Sequence, residues 1–219
     1  MAQQKFDWQA IDTVILDLDG TLIDLYFDHR FWKKVVPQAY ADKFKLSVEQ
    51  SRELIHRRYQ QVEFSMQWYC IDFWAKTLDL PLRELLQQQH NYIKVRSDVY
   101  PFLQATRERR KKLILLTDSH PFSLAEKLKH CDLAPHFDLL LSSHQFNAPK
   151  VEQVLWQRLQ QFTPFDPSRT LFIDDTEAVL DSAKKFGIAY TIGVENPDST
   201  LADKSFERHF SVKNYRTLL

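Results

Sequence analysis

Residues 14–24 read VILDLDGTLID. A run of β-branched and leucine residues stops at Asp17, and a second aspartate, Asp19, follows two residues later. Gly20 and Thr21 come next. A short apolar run bounded by turn residues predicts a strand buried on both faces. Asp17 then sits at the strand tip. Gly20 lets the backbone turn without a Cβ clash, and that turn can bring Asp19 back over the same site. Two carboxylates in different surroundings can divide the labour, one ionised and one protonated. A calcium loop is excluded, because the Asp-x-Asp-x-Asp-Gly spacing is absent.

Working outward, comparable runs occur at 13–18, 113–116, 137–141, 170–173 and 188–192. Each has strand length and is almost wholly apolar. Between the later runs, Val151, Val154, Leu155, Leu159 and Phe162 recur at helical spacing, as do Val179, Leu180, Ala183 and Phe186. Gly187 is placed to end the second of these helices. Alternating strands and helices predict an α/β fold with a parallel sheet and right-handed crossovers.

Residues 25–97 have a different texture, with no convincing strand run. Ser47 and Gln50 form a capping box, followed by Ile55, Tyr59 and Val62 on one helical face. Leu82, Leu85 and Leu86 mark a helix after Pro81, and Pro37 is expected to kink or divide an earlier one. The segment is too long for an ordinary crossover. It reads as an all-helical insert after the first strand, with the core formed by residues 1–24 and 98–219.

In open α/β sheets, ligands bind at the C-terminal edge of the strands. The first predicted strand delivers Asp17 and Asp19 to that edge, the second Thr117 and Asp118, and the fourth Asp174 and Asp175. The third leads through Ser142 and Ser143 to Lys150. Two like charges ~4 Å apart repel by about 4 kcal/mol at an effective dielectric near 20. Such a cluster needs a cation or protons, and an all-oxygen site without His or Cys suits Mg²⁺. Alternatively, Asp174 and Asp175 cap the helix that follows them.

These stretches resemble the motifs of the haloacid dehalogenase (HAD) superfamily, in the family's order. VILDLDGTLID resembles the first motif, LILLTDSH the second, Lys150 the third, and LFIDDTEAVLDSAKKFG the fourth, of the paired-acid type. The resemblance implies a Rossmann-like sheet core flanked by helices, with a helical cap between the first two motifs. It also implies a phosphohydrolase. Asp17 would be the nucleophile that forms an aspartyl-phosphate, and Asp19 the acid and base. Thr117, Lys150 and the backbone N–H groups of Leu18 and Asp19 would hold the phosphoryl group. Asp17, the Asp19 carbonyl, Asp175 and Asp174 would hold Mg²⁺ or another divalent cation.

Two positions depart from the family pattern. Asp118 stands on the phosphate side where asparagine is common, and an ionised carboxylate there is expected to turn away or to contact the helix after Pro121. Pro149 precedes Lys150 instead of following it. Lys127 and Lys129 lie on a helical pattern and are poorer candidates for the third motif.

LDLYFD, WYCIDFW, LTDSHP and VENPDS further resemble the bacterial GMP/IMP nucleotidase branch. The implied substrate is a purine 5′-mononucleotide, with other small phosphates such as flavin mononucleotide as alternatives. Most cap aromatics are expected to form the insert's own core. Tyr26, Phe27 and Asp28 are expected at the cap–core junction, where an aromatic can stack on a base. His29, His120 and His144 read as satisfied or surface histidines. A phosphomutase would share the same site. A dehalogenase would need neither the magnesium cluster nor Asp19, and a receiver-like signalling module would not carry the large cap.

Lys+Arg and Asp+Glu are both 29 among 219 residues, which does not favour a nucleic-acid polymer as partner. The cluster of Arg107, Arg109, Arg110, Lys111 and Lys112 reads as a solvated helix end. Cys70 and Cys131 are the two cysteines, too few for a disulfide framework. The start, MAQQKFDWQAID, lacks the pattern of a signal peptide. No apolar stretch approaches a membrane span. The expected compartment is the cytoplasm.

Overall fold

A computed structural model describes residues 7–219. Residues 1–6, the start of the stretch without a signal-peptide pattern and of the expected core, lie outside the described residues. Six parallel strands form one sheet in the order β3-β2-β1-β4-β5-β6. They are β1 (Thr13–Leu16), β2 (Lys112–Thr117), β3 (Leu139–Ser142), β4 (Thr170–Asp174), β5 (Tyr190–Val194) and β6 (Phe210–Val212). β1 and β4 are buried throughout, as their unbroken apolar runs require.

Successive side chains on a strand point to opposite faces, and the core divides accordingly. Val14, Leu16, Leu113, Leu115, Leu171 and Ile173 pack on one face with Val99, Phe102 and Leu103 of α6 (Val99–Glu108). Leu124 of α7 (Pro121–Lys129) joins them. Ile15, Ile114, Leu116 and Phe172 pack on the other face, against α8 (Gln153–Phe162) and α9 (Glu177–Phe186). The helical spacing in these last two segments reflects that contact.

A third cluster, including Phe27, Phe31, Ile55, Ile71 and Trp74, lies wholly in the helical segment after β1. Its helices are α1 (Tyr26–Arg30), α2 (Val36–Phe44), α3 (Val48–Gln60), α4 (Ile71–Leu78) and α5 (Leu82–Gln87). Ser47 and Gln50 make the capping box at the start of α3, with the Gln50 N–H donating to Ser47 Oγ at 3.2 Å. Pro37 falls in the first turn of α2, where a missing N–H costs nothing. A π-helical turn, Phe31–Val35, joins α1 to α2 there. On the return to the core, Val95 pairs antiparallel with Ile23.

Two expectations change. The edge strand β6 was not anticipated, because FSV is three residues long and has no flanking apolar run. The fifth strand begins at Tyr190, two residues beyond the expected start at Ile188, which is buried with the α9 face of the core. No helix among the described residues is long and apolar enough to cross a membrane.

Gly193 in β5 carries a packing constraint: a Cβ there would lie 2.6 Å from the Phe206 ring. Gly193→Ala is expected to destabilise the fold by about 1–3 kcal/mol through overpacking. This would be read as a lower urea midpoint at unchanged slope.

Candidate active site

The register explains how the acids meet. Leu16 of β1 is level with Ile173 of β4, so the next residues, Asp17 and Asp174, emerge side by side. Asp17 N–H still donates to Ile173 O at 3.0 Å, extending the pairing to the tip. Carboxylate oxygens of Asp17, Asp174 and Asp175 all lie within 4.8 Å of one another. Lys150 Nζ contacts Asp17 Oδ1 and lies 2.7 Å from Asp174 Oδ2. The structure thus brings Asp17, Asp174, Asp175 and Lys150 into one buried cluster.

Lys150 reaches this cluster from beyond β3 because its backbone is anchored. Its N–H donates to Asp118 Oδ1 at 3.0 Å, and its carbonyl accepts from the Trp156 indole at 3.0 Å. Asp118 therefore turns its carboxylate to the lysine loop, not to the helix after Pro121. Thr117 lines the cavity above the cluster, and its hydroxyl oxygen accepts from Ser119 N–H at 3.0 Å. The Leu18 side chain belongs to the core, while its carbonyl accepts from the N–H groups of Leu22 and Ile23 and closes the loop after Asp17. In that loop Gly20 has φ +79°, and a Cβ would lie 2.9 Å from the Asp175 carboxylate carbon. Glycine is thus required for both conformation and space.

Electrostatics mark this cluster as short of positive charge. Burial raises the Asp17 pKa well above the ordinary carboxylate value, against the pull of Lys150; Asp174, Asp19 and Asp175 push the same way. Burial likewise lifts Asp174 to about 6 despite Lys150, and Asp175 adds to the rise. Burial alone would lower the Lys150 pKa, but Asp17, Asp174 and Asp118 reverse this and hold it charged. Asp174 Oδ1 also accepts the Thr176 N–H at 2.7 Å, so capping and ion pairing coexist. Lys204, which the motifs do not reveal, approaches Asp175 Oδ2 at 3.2 Å. An all-oxygen set with unrelieved negative charge fits a hard divalent cation.

Asp19 faces a second cluster. Its Oδ2 accepts from the Ser119 hydroxyl at 2.6 Å and its Oδ1 from Lys127 Nζ at 2.5 Å. Lys127 also binds Asp28, at 2.8 and 3.0 Å. Burial opposes the Lys127 charge, but Asp19 and Asp28 raise its pKa above the ordinary lysine value. Burial, then Asp19, lift Asp28 to about 7 against Lys127. Sequence reading passed over Lys127 as a helical lysine. The available signal was its spacing from Leu124, three residues earlier on the core-facing side of α7.

Above both clusters lies a cavity of about 720 Å³. Its walls include Trp32, Tyr59, Trp68 and Tyr69, with Arg52 and His56 nearby on α3. Tyr26 and Phe27 do not line it, contrary to expectation. Tyr26 packs edge-on to Tyr92, while Phe27 is buried beneath Lys127. Of that trio only Asp28 reaches the cavity. Tyr59 has a buried hydroxyl with no hydrogen-bond partner. His29 pairs with Asp198 of the VENPDS stretch at 2.6 Å, and His120 accepts the Phe122 N–H at the start of α7. Burial and neighbouring His120 lower the His144 pKa to about 4.

The family model of haloacid dehalogenase-like hydrolases matches residues 11–187, and this chain belongs to that family. It is 44% identical to the GMP/IMP nucleotidase YrfG of Escherichia coli (strain K12) over 212 residues, 97% of this chain and 96% of that protein. Among solved structures it is similar to a HAD phosphatase from Thermococcus onnurineus, with TM-score 0.80, 21% identity, and coverage of 95% of this chain and 96% of that one. It is also similar to the L-2-haloacid dehalogenase of Xanthobacter autotrophicus, with TM-score 0.58, 19% identity, and coverage of 84% and 78%. These two likenesses concern the fold.

The raised pKa of Asp28 gives a test of the second cluster. The folded chain holds a proton there between the ordinary carboxylate range and about 7. The associated stability is complete below the unfolded pKa of about 3.9 and is lost as pH rises through 7. Wild type is therefore expected to lose melting temperature relative to Asp28→Asn between pH about 4 and about 7. Parallel profiles for the two proteins would contradict the assignment.

Proposed function

We propose that this chain is a divalent-metal-dependent phosphomonoesterase of the cytoplasm that hydrolyses purine 5′-mononucleotides through a phosphorylated Asp17. The observation that carries the reading is the buried group of Asp17, Asp174 and Asp175 around Lys150, on the floor of an aromatic-walled cavity.

Asp17, Asp175 and the Asp19 carbonyl would hold the cation, with Asp174 assisting. When bound, the cation neutralises charge on the carboxylates and on the substrate phosphate. Asp17 Oδ attacks phosphorus and the ester P–O bond breaks, while Asp19 gives a proton to the departing oxygen. Water then attacks the aspartyl-phosphate and yields its proton to Asp19, which restores Asp17 and releases phosphate. The Lys150 ammonium and the Thr117 hydroxyl face the phosphoryl oxygens throughout, with the N–H groups of Leu18 and Asp19 at the strand tip. Asp118 acts only through Lys150, by fixing its backbone. Enzymes accelerate phosphate monoester hydrolysis by up to ~10²¹, roughly 28 kcal/mol. Fixed charge and positioning must therefore act together.

The substrate reading rests on the 44% identical GMP/IMP nucleotidase and on the cavity wall. Trp32, Tyr59 and Trp68 offer ring surfaces for a flat base. Arg52 and His56, four residues apart on α3, offer donors to O6 and N7, the acceptors on the guanine edge. Two unpaired cysteines, Cys70 and Cys131, suit a reducing compartment.

Phosphate release with Mg²⁺ should proceed at least about tenfold faster in kcat/KM for GMP and IMP than for sugar phosphates or flavin mononucleotide, a preference of about 1.4 kcal/mol. The reverse order would overturn the substrate assignment. Asp17→Asn is expected to lower kcat by more than about 10³ with the fold retained by circular dichroism, the scale of losing a nucleophile. EDTA is expected to abolish turnover and added Mg²⁺ to restore it; activity indifferent to chelation would overturn the metal dependence.

A further inference from the structure

We propose that Lys127 is a positioning residue: its ammonium fixes the Asp19 carboxylate for proton transfer and, through Asp28, makes that placement depend on the seating of the helical insert. The proposal deepens the function proposed above and rests on its assignment of Asp19 as the acid and base.

Lys127 is 0% exposed. An ammonium removed from water is costly unless its donors are satisfied by anions in good geometry. Its three N–H donors meet groups from three parts of the chain. Asp19 Oδ1, at 2.5 Å, belongs to the loop after β1. Asp28, at 2.8 and 3.0 Å, belongs to α1, the first helix of the insert. Ser119 Oγ, at 3.3 Å, belongs to the loop after β2, and the same hydroxyl donates to Asp19 Oδ2 at 2.6 Å. Lys127 thus holds one Asp19 oxygen and Ser119 the other, and the Asp28 carboxyl also lies within hydrogen-bond reach of Asp19. A carboxylate oxygen has a second lone pair, so the group can still exchange a proton with a leaving oxygen while its rotamer stays fixed.

The geometry separates this task from metal and phosphate binding. Lys127 contacts neither Asp17 nor Asp174; that role falls to Lys150. The Phe27 ring, buried in the core of the insert, lies 5.3 Å from the ammonium and helps to exclude water from it. Displacement of α1 would remove Asp28 and Phe27 together. The ammonium would then regain water, and Asp19 would lose its anchor. Proton transfer is therefore strongest when the insert covers the cavity, the state in which water is kept from the leaving group.

The test compares GMP, whose leaving oxygen needs a proton, with 4-nitrophenyl phosphate, whose leaving group departs without one. Asp19→Asn supplies the reference: a loss of about 100-fold or more in kcat on GMP, the usual scale of acid–base catalysis, with a much smaller loss on the aryl ester. Lys127→Met is expected to show the same selectivity, with KM near wild type. Asp28→Asn should show it to a lesser degree. The Asp19→Asn/Lys127→Met double variant should be no slower on GMP than Asp19→Asn alone, because Lys127 acts through Asp19. If Lys127→Met does not fold, Lys127→Met/Asp28→Asn removes the ammonium together with the carboxyl it faces and takes its place in the comparison. Equal losses on both esters, or multiplicative losses in the double variant, would overturn the positioning role while leaving the Asp19 assignment intact. Equal losses on both esters for Asp19→Asn itself would overturn that assignment and this proposal together.

Discussion

Three buried carboxylates converge where strands β1 and β4 end, and the rest of the site answers their mutual repulsion. At ~4 Å, each like-charged pair costs about 4 kcal/mol at an effective dielectric near 20. One ammonium, Lys150, lies between Asp17 and Asp174, and a second, Lys204, touches Asp175 from a later loop. The arrangement persists because the backbone enforces it. The β1–β4 register makes Asp17 and Asp174 neighbours, and the Asp118 carboxylate and Trp156 indole fix the loop that carries Lys150. Asp118 is itself a buried acid, raised in pKa by burial against Lys150. The backbone N–H of Lys150, which donates to it, partly offsets that burial.

Asp17 and Asp19 are two residues apart but enter different electrostatic environments. The turn at Gly20 separates them. Asp17 joins an acid-rich cluster that contains one shared lysine, whereas Asp19 pairs with Lys127 and Ser119. A single short loop thereby places one carboxylate among other acids and the next against an ammonium and a hydroxyl. This division agrees with the general pattern in which neighbouring carboxyl groups take different roles through their surroundings.

The parts of this design that were legible in the sequence are those encoded locally. Unbroken apolar runs identified β1, β2 and β4 because both sheet faces are covered. The four motifs placed Asp17, Thr117, Lys150 and Asp174 at one sheet edge because parallel strands end on the same side. What stayed hidden depends on distant partners. Lys127 looks like an ordinary helical lysine until residues 99 and 108 positions away are brought against it. Lys204 has no local mark of its approach to Asp175. β6 is too short to show periodicity, since its pairing with β5 does the work that composition does elsewhere. Phe27 sits at the junction, beneath Lys127, as expected, but neither it nor Tyr26 lines the cavity, because sequence proximity to Asp17 and Asp19 says nothing about which way a helix face turns.

The floor and the walls of the cavity are held by separate means. The floor depends on strand register, Gly20 and the Lys150 loop, all within the sheet core. The walls depend on the insert's own cluster, in which Tyr59 packs edge-on to Trp32, Trp68 and Trp74. Contacts between the two include the Lys127 network, the His29–Asp198 pair and the Leu25 N–H bond to Pro197 O. Substitutions in the walls can therefore change which leaving group fits without moving Asp17. The likeness to a dehalogenase is one of fold alone; in this chain the strand register fixes where Asp17 stands, and the helical insert supplies the walls above it.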